Sequence, residues 1–233
     1  MGEITRVIAP DLEKRKAINT IESYLGELRA GRPSVTLSAG RSAKGAQTLR
    51  TILSASRAVF VRDGHAGLTM RKVADAAGLG VGNLSYYFNS KSALIEATLR
   101  EELADYVEEH ARQFEADRHS PLEILLNVIG FYVANARHSH RFFFQMWGYA
   151  ASDDAAKALI RDLYRPIGRF IYYLVRAAGP TRADAEVRRI VLQIFSLEEG
   201  LKLFIGMGPA DDPALRASEA DARDLARRLV MGE

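Results

Sequence analysis

The stretch from Thr69 to Lys91 reads TMRKVADAAGLGVGNLSYYFNSK. Thr69 is a good N-cap, because its hydroxyl can accept a backbone N–H of the first turn. Met70–Ala77 then reads as a short helix with Val73, Ala74 and Ala77 facing inward. Gly78 closes it, since glycine takes the left-handed conformation that turns a chain sharply without a Cβ penalty. The turn Gly78-Leu79-Gly80 leads into a second short helix, Val81–Tyr87, and the small side chains of Ala74, Ala76 and Ala77 let the two helices cross closely. Leu84 and Phe88 are four apart, so they share one face and point to a core. That leaves Gly82, Asn83, Ser85, Tyr86 and Tyr87 for the outer face. This is the layout of a helix-turn-helix over residues 69–88, whose second helix enters a major groove of duplex DNA.

Working outward, residues 48–62 place Leu49, Ile52, Leu53, Ser56, Val59 and Phe60 on one helical face, with Gly64 as the stop. Ser90 caps a long helix over 91–115, whose stripe runs through Ile95, Leu99, Leu103, Tyr106, His110 and Phe114. After Ser120-Pro121, a favourable helix start, the pattern predicts helices at 122–136, 139–150 and 154–177, the last kinked or broken at Pro166. Gly179-Pro180 is a stop, and Thr181 is placed to cap the next helix with Asp184 at its third position. That helix runs to about Ile205, and a last one covers 214–230. Upstream, Ile18, Ile21, Leu25 and Leu28 make 11–30 an amphipathic helix, followed by a Gly/Ser-rich linker. No strong alternating run and no Asn-Gly hairpin pair occurs, so the fold is all-α, of about nine helices and an extra N-terminal one. The expected domains are an N-terminal extension (1–45, with helix 11–30 and linker 31–45), a three-helix DNA-binding head (46–92), and a larger helical ligand-binding and dimerisation domain (93–233).

Composition narrows the function. The chain has 233 residues and no cysteine, which excludes disulfides, zinc thiolate sites and thiol catalysis. The N-terminus lacks an apolar signal core and no run is long enough to span a membrane, so a cytoplasmic, nucleoid-associated protein is expected. The formal net charge is only +3, but residues 41–91 carry eight Lys/Arg against two Asp/Glu, while residues 92–233 carry 18 against 22. A basic block beside an acidic body is the footprint expected for a polyanion partner, double-stranded DNA here. No nucleophile–base set, phosphate loop or metal-ligand spacing is visible, so neither an enzyme, a cofactor nor a metal site is expected. His138 and His140 flank Ser139, and alternate positions on a helix point apart.

Over residues 46–95 the sequence resembles the TetR (tetracycline repressor) family. The residues that carry the resemblance are Ile52-Leu53, Phe60, Gly64, Thr69-Met70-Arg71-Lys72-Val73-Ala74, Ala77-Gly78, Gly82-Asn83-Leu84-Ser85-Tyr86-Tyr87-Phe88 and Ser90-Lys91. The remainder resembles the family only in helix count and order. Two positions depart from the pattern: Gly80-Val81 stands where Ser/Thr then Lys/Arg is usual, and Ser85 stands where Tyr is usual. The reading helix therefore has no Lys or Arg between Lys72 and Lys91. The resemblance implies that Thr69, Arg71, Tyr86, Tyr87 and Lys91 meet phosphates. Base reading then falls to Asn83, Ser85, a close backbone approach at Gly82, and contact of Val81 with thymine methyls. Core packing is the competing reading for Tyr86 and Tyr87, and an ion pair with Asp75 the competing one for Arg71. Arg41 and Lys44 are candidate DNA-arm residues.

The resemblance further implies a ligand-responsive repressor that binds a near-palindromic operator as a homodimer and leaves it when a small molecule enters the C-terminal domain. The stretch 131–173 holds many rings, more hydroxyls and an indole N–H than a plain core needs. An effector pocket for an apolar or aromatic molecule is expected from His110, Phe143, Met146, Trp147, Tyr164 and Glu198. Glu198 lies on the apolar stripe of its helix, where a carboxylate must find a partner, either an arginine or the effector. Against the pocket stands ordinary core packing, above all for His110. The alternative for the whole chain is a TetR-like interaction protein without sequence-specific DNA binding, favoured by the uncharged reading helix.

Overall fold

Every regular element among the described residues is an α-helix; the computed structural model describes residues 12, 14–23, 25, 43–117 and 120–233. The first helix, α1, includes residues 12, 14–23 and 25, with Ala17, Ile21 and Leu25 buried. Leu28, Arg41 and most of the expected linker lie outside the described residues. Then follow α2 (Ala43–Gly67), α3 (Met70–Ala77), α4 (Val81–Tyr87), α5 (Lys91–Ala116), α6 (Pro121–Ser152), α7 (Asp154–Ala178), α8 (Asp184–Met207) and α9 (Pro213–Met231).

Four expectations need correction. Helix α2 starts earlier than residue 48, so Lys44 sits exposed in its first turn. At Gly64 the backbone leaves the helical region, with φ 68° and ψ 178°, so the helix stops there as expected and a separate short turn follows to Gly67. The two helices expected at 122–136 and 139–150 are one. No Gly or Pro lies between Gly130 and Gly148. Ser139 Oγ donates to the Asn135 carbonyl at 2.9 Å, so the polar stretch bonds back onto the helix rather than breaking it. Helix α7 runs through Pro166, so of the two outcomes expected there the break does not occur. Thr181 does not cap α8. The N-cap is Ala183, and Asp184 is engaged by the Tyr172 hydroxyl at 2.6 Å and Arg176 Nη1 at 2.7 Å.

The described residues of Met1–Ala30, with Val107–His140 and Arg165–Glu233, form one compact unit, the body. Those of Gly31–Tyr106, with Arg141–Tyr164, form the other, the head. Thus α5, α6 and α7 each contribute to both. The head core collects Ile52, Val59, Phe60, Leu68, Val73, Leu84, Leu94 and Leu99 with Phe142, Phe143 and Met146 of α6. Within it Ser56 and Thr98, both buried, share a hydrogen bond of 2.8 Å, which satisfies the two hydroxyls. The body core is built on Leu125, Val128, Ile129, Phe170, Ile171, Leu174 and Ile194. Helix α9 packs on α8 and buries Ser218, Ala222, Ala226 and Val230, a stripe four residues apart.

Candidate nucleic-acid interface

The first of the two short helices is capped at both ends by local chemistry. Thr69 Oγ1 accepts the Lys72 N–H at 3.2 Å. Gly78 takes φ 67° and ψ 31°, and the Leu79 N–H reaches back to Ala74 O at 2.9 Å. That paired closure satisfies carbonyls a helix end otherwise leaves open and sets the sharp turn. Helix α4 starts at Gly80 with no side-chain cap, the consequence of glycine where a hydroxyl residue is usual. It is anchored instead from below, by Leu84 and Phe88, both buried. Val81, Gly82, Asn83 and Ser85 are exposed, as the sequence predicts.

The two tyrosines separate. Tyr86 is 64 % exposed, whereas Tyr87 is only 8 % exposed and meets the Tyr86 ring edge-on at 5.5 Å. The expected outward placing of Tyr87 is therefore corrected. It lies three residues after Leu84, on the same side of the helix, so its ring joins the anchor.

Thr69 and Arg71 are exposed on α3, and among the described residues Arg71 makes no ion pair with Asp75 or any other acid. Lys72 is spoken for: its Nζ donates to Asp63 Oδ2 at 2.8 Å and to the Gly67 carbonyl at 2.9 Å. Arg62 holds the same carboxylate at 2.7 Å, and the two cations, Arg62 foremost, keep Asp63 well below the usual carboxylate range. At the start of α5, Ser90 Oγ accepts the Ala93 N–H at 3.1 Å, as expected of an N-cap. Lys91 Nζ reaches the Ala66 carbonyl only at 3.5 Å, a contact too long to hold it against a phosphate.

The head is tied internally to α6. Phe60 packs on Phe142 with centroids 5.4 Å apart, and His65 stacks on Tyr149 at 4.4 Å. Gly64 faces Gln145, so close that a Cβ there would fall 2.7 Å from the carboxamide oxygen. Gln145 had no local sign in the sequence; the glycine's partner lies on a distant helix.

The residues expected of an effector pocket divide between the units. Phe143, Met146, Trp147 and Tyr164 belong to the head, where Phe143 and Trp147 lie 6.0 Å apart and the indole N–H donates to Tyr164 at 3.3 Å. His110 and Glu198 belong to the body. His110 is a satisfied core histidine: Nε2 is 2.6 Å from the Tyr132 hydroxyl, and the ring stacks on Phe170 at 4.5 Å. Burial pushes its pKa down to about 3, so the imidazole is neutral. Tyr132 stands in the ring-rich stretch 131–173, but nothing in the sequence pairs it with His110. Among the described residues no arginine pairs with Glu198, and its Oε1 is buried without a hydrogen bond. Burial pushes its carboxyl well above the ordinary range, aided by Glu199 and opposed by Lys202. On the outer side of α8, Leu192, Phe204 and Met207 are exposed, with Leu225 of α9. No group of three or more potential ligands for a metal ion occurs among the described residues, and no helix there is long and apolar enough to cross a membrane.

A helix-turn-helix whose second helix carries an exposed face is the arrangement of a DNA-binding transcriptional regulator. The pattern of the bacterial regulatory proteins, tetR family, matches residues 52–98. The regulator BetI of Paraburkholderia xenovorans is 33% identical over 179 residues, covering 75% of this chain and 90% of that one. The chain belongs to the TetR family. An HTH-type regulator of Xanthobacter autotrophicus is 27% identical over 120 residues, covering 50% of this chain and only 59% of its own length. Among solved structures, FadR of Bacillus subtilis in complex with stearoyl-CoA has a TM-score of 0.66 at 16% identity, over 79% of this chain and 99% of that one. A regulator from Saccharomonospora viridis in complex with choline has a TM-score of 0.65 at 16% identity, over 77% and 95%. At such identity these two structures support the fold alone.

Proposed function

We propose that this TetR-family regulator is a ligand-responsive repressor that grips a near-palindromic operator as a homodimer and is released by a small molecule. The observation that carries the reading is the presentation of α4: Leu84 and Phe88 are buried while Val81, Gly82, Asn83, Ser85 and Tyr86 are exposed on its other side. In this reading residues 46–92 are the DNA-binding domain and 93–233 the effector-binding and dimerisation domain, preceded by the 1–45 extension. Asn83 and Ser85 read base edges, Val81 meets thymine methyls, and Gly82 admits a close backbone approach. Thr69, Arg71, Tyr86 and Lys91 hold phosphates, with Lys44 as arm. The exposed apolar face of Leu192, Phe204, Met207 and Leu225 supports a twofold mate across α8 and α9. The protein acts in the cytoplasm, at the nucleoid.

The effector enters the body, which holds His110 and Glu198, while Phe143, Met146, Trp147 and Tyr164 belong to the head, where Trp147 joins Phe143 and Tyr164. The solved structures named above carry ligands as different as stearoyl-CoA and choline, so the fold does not select one. Binding biases the pair of heads towards a spacing that no longer fits two half-sites.

The competing reading, an interaction protein without sequence-specific DNA binding, draws on the absence of Lys or Arg in α4. Gel shifts on the DNA upstream of the chain's own gene separate the two. Lys91→Ala is expected to weaken binding to all sequences and to reduce the salt slope by about one per head, whereas Asn83→Ala relaxes sequence preference. Equal loss on every sequence from both variants, or no preference for the upstream fragment over random DNA, refutes the repressor reading.

A further inference from the structure

Helix α8 passes its core-facing stripe through Val187, Ile190, Ile194, Glu198, Lys202 and Ile205, all buried. The stretch around Glu198 is bounded by two close approaches within the body. A Cβ at Gly168 of α7 would fall 3.9 Å from the Phe195 ring, and one at Gly206 would run into His140 of α6. Glu198, 5 % exposed, lies on that buried stripe, between Phe195 and Gly206 along α8. Its neighbour one turn on, Lys202, is 2 % exposed and donates to Glu199 Oε2 at 3.0 Å instead. The Lys202 ammonium is thus engaged by Glu199, and the buried Oε1 of Glu198 is left without a hydrogen bond among the described residues. Such a group costs stability unless something donates to it.

We infer that Glu198 is the anchor of the effector site and that the effector is a small organic cation bearing N–H groups, an amine or guanidine. The inference rests on the repressor reading for its biological meaning and adds the ligand's chemistry. An N–H cation supplies both missing things, a donor for Oε1 and the charge that lets the carboxyl ionise, in a bond roughly twice as strong as a neutral one. A metal ion is disfavoured because one buried carboxylate offers too few ligands, and an anion would meet two acids. The orphaned carboxyl is then a stability cost carried by the empty protein and relieved on binding, which links occupancy to the packing of α8 against α6 and α7.

The test uses the full chain, thermal melting and titration calorimetry, with n-butylamine, butylguanidine and putrescine as probes and n-butanol and tetramethylammonium as comparators. At least one N–H cation is expected to raise the melting point of the wild type and n-butanol is not. Glu198→Gln, of the same shape, is expected to fold, to melt no lower than the wild type when empty, and to bind the cation about tenfold to a hundredfold more weakly. Calorimetry in two buffers of different ionisation heat needs no variant and is expected to register proton release as the wild type takes up the cation. No rise with any N–H cation overturns the proposal. So does an equal response in Glu198→Gln, or an equal rise with n-butanol or tetramethylammonium. Wild type that holds its upstream DNA but ignores every amine ends the cation assignment alone. Wild type that responds to an amine but binds no DNA ends the repressor reading alone.

Discussion

His110 makes the structure testable by acid. Its ring is buried, stacked on Phe170 and hydrogen-bonded to Tyr132, with no carboxylate drawn to it, and burial lowers its pKa from 6.5 to about 3. A base whose folded pKa lies below its unfolded one binds fewer protons folded than unfolded throughout the window between them. Stability therefore rises with pH across that window, is fully present above about 6.5, and is lost as the medium turns acid. Integrating the one-proton linkage with these two values puts the loss between about pH 7 and pH 5 at about 2 kcal/mol from this residue alone. Carboxylates titrate at the lower end as well, so the comparison must isolate the imidazole. His110→Gln keeps a partner for the Tyr132 hydroxyl and cannot titrate. Urea unfolding at a series of pH values is expected to show the wild type losing about 2 kcal/mol more than the variant over that range, with unchanged m. Parallel pH profiles, within about 0.5 kcal/mol, refute the argument, because they mean that the native state accepts the proton as readily as the unfolded chain.

Two further changes probe the head and the outer face of the body. Gly64→Ala forces an L residue into a backbone region open almost only to glycine and drives a Cβ at Gln145; urea unfolding is expected to register a loss of about 2 kcal/mol. Gln145→Ala in the same background relieves only the steric part, and a loss below about 0.5 kcal/mol for Gly64→Ala contradicts the kinked backbone. Phe204→Glu places a charge on the exposed apolar face of α8 and is expected to halve the mass in sedimentation while leaving the helical circular dichroism intact. An unchanged mass removes that face from the dimer.

What the sequence disclosed was governed by distance along the chain. The Thr69 cap, the Gly78 turn and the bounds of α3 and α4 are decided by residues within four of one another, and each is found where the spacing puts it. The same arithmetic, carried through, places Tyr87 beside Leu84 and Phe88; assigning it outward took residue type over helical phase. The break expected between 136 and 139 does not occur, and Ser139 there bonds back to its own helix. Other features were out of reach. Asp63 captures Lys72 across the end of α2, Gln145 fills the space at Gly64 from α6, and Tyr132 satisfies His110 from another helix. Only the assembled core reveals that Glu198 Oε1 is left without a hydrogen bond among the described residues; its position on an apolar stripe raised the question without answering it.

The engagement of Lys72 bears on how the head divides its labour. A cation already shared between Asp63 and the Gly67 carbonyl keeps the short turn between α2 and α3 closed, and spending it on a phosphate would open that turn. Arg71 and Lys91, on the helices flanking α4, therefore carry the phosphate contacts in the proposed complex. Helix α4 itself brings amide, hydroxyl, phenol and methyl groups but no charge. Charge attracts every sequence alike, whereas hydrogen bonds and methyl contacts distinguish one base pair from another. Placing the first on α3 and α5 and the second on α4 lets affinity and selectivity change by separate substitutions. A reading helix without cations also gains little from non-specific DNA, so the contrast between operator and bulk sequence then rests on what Asn83 and Ser85 find at the base edges.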